Sequence, residues 1–297
     1  ANTFDITYNV NKPAKADANN NVSPATVNKT TATYDQTVTL SKTNLTLTGY
    51  TFKGWSEDAA ASAATYVVEA TIGVDTVNAW YTSLTAEKTS ITLYAVWQAN
   101  TYTITFVGNG GSANSVDTYN QTGIVYDEVT QLTENRFTRE GYTFIGWISS
   151  VAAGYYGNAA ETCTTAVTTT SLIADEFYIK NLASTQNAVV TFTAQWAANY
   201  YALAIDNNNG SLTFNETLTD VTTIYALYNS TALYIAETAP SYAYEGKSYT
   251  IKADGEIVET AVTVVSNVGG TLTGYVLNGF TSGAGYKVAK DEVVLNK

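Results

Sequence analysis

The sequence predicts a mainly β chain of small domains in tandem, laid end to end as a rod. Three observations predict it. Gly49-Tyr50-Thr51-Phe52-Lys53-Gly54-Trp55 returns as Gly141-Tyr142-Thr143-Phe144-Ile145-Gly146-Trp147, and a long pattern recurring in one chain is the mark of a repeat architecture. Apolar side chains alternate with polar ones at Phe4, Ile6, Tyr8 and again at Tyr102, Ile104, Phe106, which is strand periodicity. The composition is rich in Thr, Asn, Ala and Tyr and poor in charge, with 13% Asp, Glu, Lys and Arg, a balance suited to β structure.

The elements follow in order. Each unit opens on Ala-Asn: Ala1-Asn2-Thr3-Phe4, Ala99-Asn100-Thr101-Tyr102 and, more loosely, Ala198-Asn199-Tyr200-Tyr201. The third strand carries Tyr201, Leu203 and Ile205. A turn comes next, Gly108-Asn109-Gly110-Gly111 in unit two and Asn207-Asn208-Asn209-Gly210 in unit three. Asn and Gly supply the positive φ of tight hairpins. Unit one instead takes an excursion through Pro13 and Pro24, predicted to be an exposed loop. Tyrosine-led strands are expected at Tyr34 to Leu40, Tyr126 to Leu132 and, in unit three, Tyr244 to Ile251. Tyr34 and Tyr126 are spaced as Gly49 and Gly141 are, so this half of the repeat has no insertions.

In the central motif Tyr50, Phe52 and Trp55 are expected as inward anchors, with Tyr142, Phe144 and Trp147 in the second copy. A looser third copy runs from Gly274 to Phe280. A short helix is expected over Asp75 to Leu84, with Asp75 as its N-cap and Val77, Trp80, Tyr81 and Leu84 on one side. Ala174 to Leu182 is its expected counterpart. Units one and two then close on strands ending in tryptophan, Ile91 to Trp97 and Val190 to Trp196, and Trp97 and Trp196 join the core anchors. The domains expected are therefore 1–99, 100–199 and 200–297, the third divergent, with linkers too short to act as flexible tethers.

This order resembles the Listeria–Bacteroides repeat, also called the internalin B-repeat family. The resemblance rests on the Gly-Tyr-Thr-Phe-x-Gly-Trp motif and the closing Leu93-Tyr94-Ala95-Val96-Trp97 and its partner. It covers two copies within residues 1–199. It implies small β-grasp-like modules, tandem in bacterial surface proteins, acting as stalks, spacers or supports for adhesion with no chemistry of their own. These units are longer than the usual family repeat, and the third matches poorly.

Composition narrows the function classes. The 297 residues carry a net charge of −12, no histidine, no methionine and one cysteine. A nucleic-acid partner needs clustered Lys and Arg, so none is expected. The missing histidine removes the commonest general base and transition-metal ligand, and neither an enzyme, a cofactor nor a metal site is expected. The lack of methionine is read as removal of a signal peptide ahead of Ala1, placing the chain outside the cell, at the surface and without a membrane span. Lone Cys163 has no internal disulfide partner and is read as buried or inert.

Gly108 to Gly111 lacks the spacing of a phosphate loop and reads as a hairpin. Asp206 to Ser211 lacks the closing carboxylate of a calcium loop and reads as the matching turn. The pairs Glu57-Asp58 and Asp127-Glu128 read as solvated charges. Aromatics outside the repeat pattern, Trp80-Tyr81 and Tyr155-Tyr156, are the candidates for a ligand platform, as stacked rings would be for a glycan.

The third motif copy stands near Lys297 with no closing Trp strand after it. That pattern raises the expectation of an open sheet edge and of subunits joining head to tail by strand augmentation. Phe4, Ile6, Tyr8, Val293, Val294 and Leu295 are the expected assembly strands. The function expected is a structural subunit of a surface filament, appendage or stalk, self-associating. The alternative is an adhesin fragment that binds a glycan or a protein of a host or neighbouring cell.

Overall fold

The computed structural model describes residues 2–87, 89–207 and 209–272, with the short strands Tyr275–Val276, Gly279–Thr281 and Lys287–Ala289. Ala1, Asn208 and the expected assembly residues Val293, Val294 and Leu295 lie outside the described residues, as do Gly274, Leu277 and Asn278 of the third motif copy. Two compact units are formed. One comprises Ala1–Val107, Thr118–Asn135 and Trp147–Thr193; the other comprises Gly108–Asp117, Arg136–Gly146 and Ala194–Lys297.

The first repeat, in the first unit, is a four-stranded sheet ordered Thr30–Thr33, Thr3–Asn9, Ser90–Ala99, Tyr50–Ser56. Its two central strands are parallel, Ile6 opposite Ile91 and Tyr8 opposite Leu93, and its outer strands are antiparallel to them. The second repeat keeps the same order, Thr118–Val125, Thr101–Val107, Ala188–Ala204, Tyr142–Ser149. Its central pair is again parallel, with Ile104 opposite Val190. A parallel pair needs a long crossover, and the whole stretch between the two central strands, motif strand and variable segment included, supplies it. This is the β-grasp-like plan.

In the first repeat that crossover holds the helix Val74–Thr82, which buries Val77 and Trp80 one turn apart. Gly73 is its N-cap, with no side-chain cap. Asp75 is thus not the cap; it lies in the first turn, where a carboxylate favours the positive end of the helix dipole. The expected counterpart at Ala174 to Leu182 is not a helix. Leu172–Ile173 and Tyr178–Lys180 are strands. Glu176 and Asn181 take left-handed φ of 56° and 59°, which ends any right-handed helix.

Three further expectations are corrected. The tyrosine-led segments are turns before they are strands. Asp35 and Asp127 sit at φ of 61° and 62°, so pairing resumes only at Val38–Thr39 and Thr130–Gln131. Beyond residue 200, Tyr244 leads no strand but ends one. Glu245 and Gly246, both with positive φ, make the two-residue hairpin between Tyr242–Tyr244 and Lys247–Ile251, the turn type that matches strand twist. The excursion through Pro13 and Pro24 is not wholly exposed: Ala16 and Val22 are buried in the first core, and Ser23 bridges to Thr46.

The strand Thr3–Asn9 is flanked on both sides by hydrogen-bonded strands. Phe4 and Ile6 are buried, and Tyr8 packs on the same core. Asp5 and Ile6 are paired on both sides, so the middle of this strand offers no edge for augmentation.

The second compact unit takes in the later part of the long strand Ala188–Ala204. Tyr200 to Ala204 pair with Thr223–Leu227, which pairs in turn with Leu233–Ile235. A separate sheet joins Ser211–Phe214 to Val268–Leu272. Phe214, Ile224, Leu233, Val265 and Val268 form the core there.

Candidate functional site

The central motif divides into two halves with different partners. The Gly-Trp half makes the core. A β-bulge lies between Phe52 and Gly54, and Gly54 takes φ +123° with the Tyr66 carbonyl 2.3 Å from where a Cβ would stand. The bulge turns Trp55 inward, where it is 0% exposed and packed against Tyr8 at 4.7 Å and Phe52 at 5.1 Å. Trp147 is likewise 0% exposed, with Phe106 at 4.7 Å. Phe52 and Trp97 pack at 5.3 Å on the half-buried side of the first core, and Phe144 and Trp196 repeat the pair at 5.6 Å.

The two closing tryptophans also latch the first turn of their repeats. Trp97 Nε1 donates to the Val10 carbonyl at 2.9 Å and Trp196 Nε1 to that of Gly108 at 2.8 Å. Beside them Asn11 Nδ2 donates to Ala95 O and Asn109 Nδ2 to Ala194 O, both at 2.9 Å. Both asparagines hold positive φ, a conformation Asn tolerates better than most residues.

The Gly-Tyr-Thr half makes a joint to residues further along the chain, and it is built twice from the same parts. In the first unit Gly49 holds φ +79°, and a Cβ there would stand 2.0 Å from the Tyr126 ring. Tyr50 meets Tyr126 edge to face at 6.1 Å, and its hydroxyl donates to Asp127 Oδ2 at 3.0 Å. Thr51 Oγ1 donates to Asn100 Oδ1 at 2.6 Å. The Asn100 N–H donates to Gly49 O, and Asn100 O accepts from the Tyr126 N–H. Asn100 Nδ2 donates to Ser184 O at 2.7 Å, so a side chain only 7% exposed has both its amide ends bonded, as burial requires.

In the second unit Gly141, at φ +77°, stands against Tyr228 in the same way, its Cβ position 2.3 Å from that ring. Tyr142 meets Tyr228 edge to face at 5.2 Å, and Asn229 Nδ2 donates to the Tyr142 hydroxyl at 3.1 Å. Thr143 Oγ1 donates to Asn199 Oδ1 at 2.7 Å. The Asn199 N–H donates to Gly141 O, and Asn199 O accepts from the Tyr228 N–H. Arg139 lies over Tyr142 at 4.0 Å.

Burial raises both tyrosine phenols of the first joint, Tyr50 and Tyr126. Burial, reinforced by the Asp127 carboxylate, pushes the Tyr50 phenol far above its ordinary range, so it stays a donor at any physiological pH. Glu57, read from sequence as a solvated charge, accepts from both Tyr66 and Trp80 Nε1. Burial and that hydrogen bond raise the Tyr66 phenol to about 12. Asp127 and Glu128 are also engaged, Asp127 in the joint and Glu128 in an exposed ion pair with Lys15 at 2.6 Å.

Tyr50 and Tyr142 therefore stand at joints on the rim of the core. Of the platform candidates, Trp80 is 4% exposed inside the first core, its indole held by Glu57, and presents no face to a ligand. Tyr81 packs between Phe4 and Tyr34. Tyr156 stacks on Phe177, and Tyr155 is 46% exposed. Cys163 is buried, its thiol pushed up by desolvation. Among the described residues no three His, Cys, Asp or Glu side chains come together as a metal site would need. No described helix is long and apolar enough to cross a membrane.

Sequence reasoning missed Asn100 and Asn199 as joint residues, and Tyr228-Asn229 as the counterpart of Tyr126-Asp127 in the second joint. The signal was present: an Ala-Asn pair opens every unit.

The Listeria-Bacteroides repeat domain matches residues 4–96 and 102–174, more than half of the chain. The chain belongs to that family. Among curated proteins it is similar to two from Evansella cellulosilytica. One, provisionally named a Gly-rich membrane protein, is 28% identical over 57% of this chain and 16% of its own length. The other, provisionally named a membrane protein, is 26% identical over 68% of this chain and 22% of its own length. The chain thus spans less than a quarter of either relative.

Proposed function

We propose that this chain is a non-catalytic, surface-associated segment of an extracellular bacterial protein, a stalk or spacer whose successive repeats are locked to one another. The observation that carries the reading is the joint, assembled twice from the same residue types at equivalent positions. A spacer must hold each module against the next. A joint of a buried or half-buried Asn, a glycine with no room for a side chain and crossed tyrosine rings does that with no flexible tether. Family membership and the membrane-protein names of the two relatives support a place at the cell surface. The division into modules 1–99, 100–199 and 200–297 belongs to the same proposal.

Antibody raised against the chain should label producing cells without permeabilisation, and protease shaving of intact cells should release its peptides. Label that appears only after permeabilisation would overturn the surface assignment. A second reading, a glycan-binding adhesin, is favoured by one observation, the exposed Tyr155 ring. Glycan-array binding lost in Tyr155→Ser would favour it; an array with no binding would remove it.

A further inference from the structure

The joint has a donor half, Gly-Tyr-Thr, and an acceptor half, an Asn followed downstream by a Tyr-Asp or Tyr-Asn turn. Two acceptor halves are filled, Asn100 with Tyr126-Asp127 and Asn199 with Tyr228-Asn229. The first repeat carries a third, and it is built like the others. The Tyr34 N–H donates to Asn2 O at 2.9 Å, the distance found for Tyr126 to Asn100 and for Tyr228 to Asn199. Asp35 holds φ 61°, beside 62° at Asp127 and 56° at Asn229. Asn78 clamps Asp35 through a backbone N–H bond at 2.9 Å and a side-chain bond at 2.7 Å. Asn181 clamps Asp127 in the same two ways, at 2.6 and 2.7 Å.

The difference lies in cover. Asn100 is buried, and Tyr126 and Asp127 are half-buried. Asn2 and Asp35 are exposed, and Tyr34 is 37% exposed. A tyrosine ring and a fixed carboxylate are thus held in the joint arrangement with their outer sides in solvent.

We propose that Asn2, Tyr34 and Asp35 form an open joint face that takes the Gly-Tyr-Thr edge of one further repeat of this family, linked in tandem ahead of Asn2. The partner chemistry follows from the filled joints. A glycine must lie flat on the Tyr34 ring, since a side chain would collide there as it would at Gly49. A tyrosine hydroxyl donates to Asp35, and a threonine hydroxyl donates to the Asn2 side-chain oxygen. The match is to this edge and not to a general apolar surface, because two of the contacts are directional hydrogen bonds.

The test adds a copy of residues 1–98 ahead of the full chain. Gln98 of the copy then precedes Ala1-Asn2-Thr3 as it precedes Ala99-Asn100-Thr101 in the native chain. Hydrogen exchange at the Asn2 and Tyr34 amides should slow by about tenfold or more. A Gly49→Val change in the added copy alone should return both to native rates while its own Ile91 and Leu93 amides stay protected. An added copy that folds yet leaves Asn2 and Tyr34 at native rates overturns the proposal. So does one that stays unfolded, because the junction reproduces the native one. Protection of Tyr34 in the unextended chain that grows with protein concentration would assign the face to a second molecule and equally overturn it. None of these outcomes bears on surface location, so failure here is distinct from failure of the surface assignment.

Discussion

The hydrogen bond from Thr51 to Asn100 offers the most specific test of the joint. Asn100→Ala removes two side-chain bonds, the acceptance from Thr51 at 2.6 Å and the donation to Ser184 O at 2.7 Å. Each is worth a net of about 0.5–1.5 kcal/mol. Thr51 and Ser184 are exposed, so the groups left behind can turn to water and no large orphan penalty is added. The change should therefore cost about 2 kcal/mol. Thr51→Val is close to isosteric and removes only the first bond, about 1 kcal/mol. If that bond acts as described, the double variant should cost no more than Asn100→Ala alone, a coupling of about 1 kcal/mol. A chain of several modules need not unfold in two states, so the readout should be local: native-state hydrogen exchange at the Tyr126 amide, which donates to Asn100 O. Coupling within about 0.3 kcal/mol of zero would refute the reasoning and reduce the joint to two surfaces that happen to touch.

Other outcomes follow from the same geometry. Trp55→Ala and Trp147→Ala should each lower stability by about 3–5 kcal/mol through the cavity left in a core, read as a fall in Tm; an unshifted Tm with a lost binding activity would make the motif a contact surface instead. Asn109→Ala should cost about 1–2 kcal/mol, from one lost hydrogen bond to Ala194 O and a positive φ that Asn tolerates better, measured by denaturant titration. Stability should be flat through neutral pH and fall above the ordinary tyrosine range. The Tyr50 phenol is raised in the fold, so its contribution is fully present below the unfolded pKa of 10.0 and is lost as pH climbs toward the folded one. An alkaline titration in which Tyr50→Phe weakens that decline checks it; an identical decline in both proteins contradicts it.

The sheet plan was legible in sequence because each signal was local or repeated. Alternation at Phe4, Ile6, Tyr8 placed a strand, the recurring Gly-Trp placed the core tryptophans, and Leu-Tyr-Ala-x-Trp placed the closing strand. The segment between motif and closing strand was less legible. Its helix in the first repeat answers to Val77 and Trp80 spaced one turn apart, whereas Ala174 to Leu182 shows a similar apolar count but breaks on the left-handed Glu176 and Asn181. Backbone φ of that kind is not written in hydrophobic periodicity. The joint was hidden for another reason. Period-two reading gives Tyr50 and Phe52 the same inward role, and only contact with residues far along the chain separates them. Tyr50 reaches Tyr126 and Asp127, while Phe52 stays with Trp55 and Trp97. Glycine was the clue to the division: Gly54 makes room for its own repeat and Gly49 for the next.

That division of labour is the central claim, and a crossed exchange measurement tests it most directly. In Gly49→Ala the left-handed φ costs about 1–2 kcal/mol, and the new Cβ displaces the Tyr126 ring. Hydrogen exchange should therefore quicken at the Asn100 and Tyr126 amides while Ile91 and Leu93, in the parallel pair with Thr3–Asn9, keep their protection. In Trp55→Ala the Ile91 and Leu93 amides should lose protection. Two variants with the same exchange profile would contradict the account, because the motif would then be one packing unit and not a core joined to a coupling.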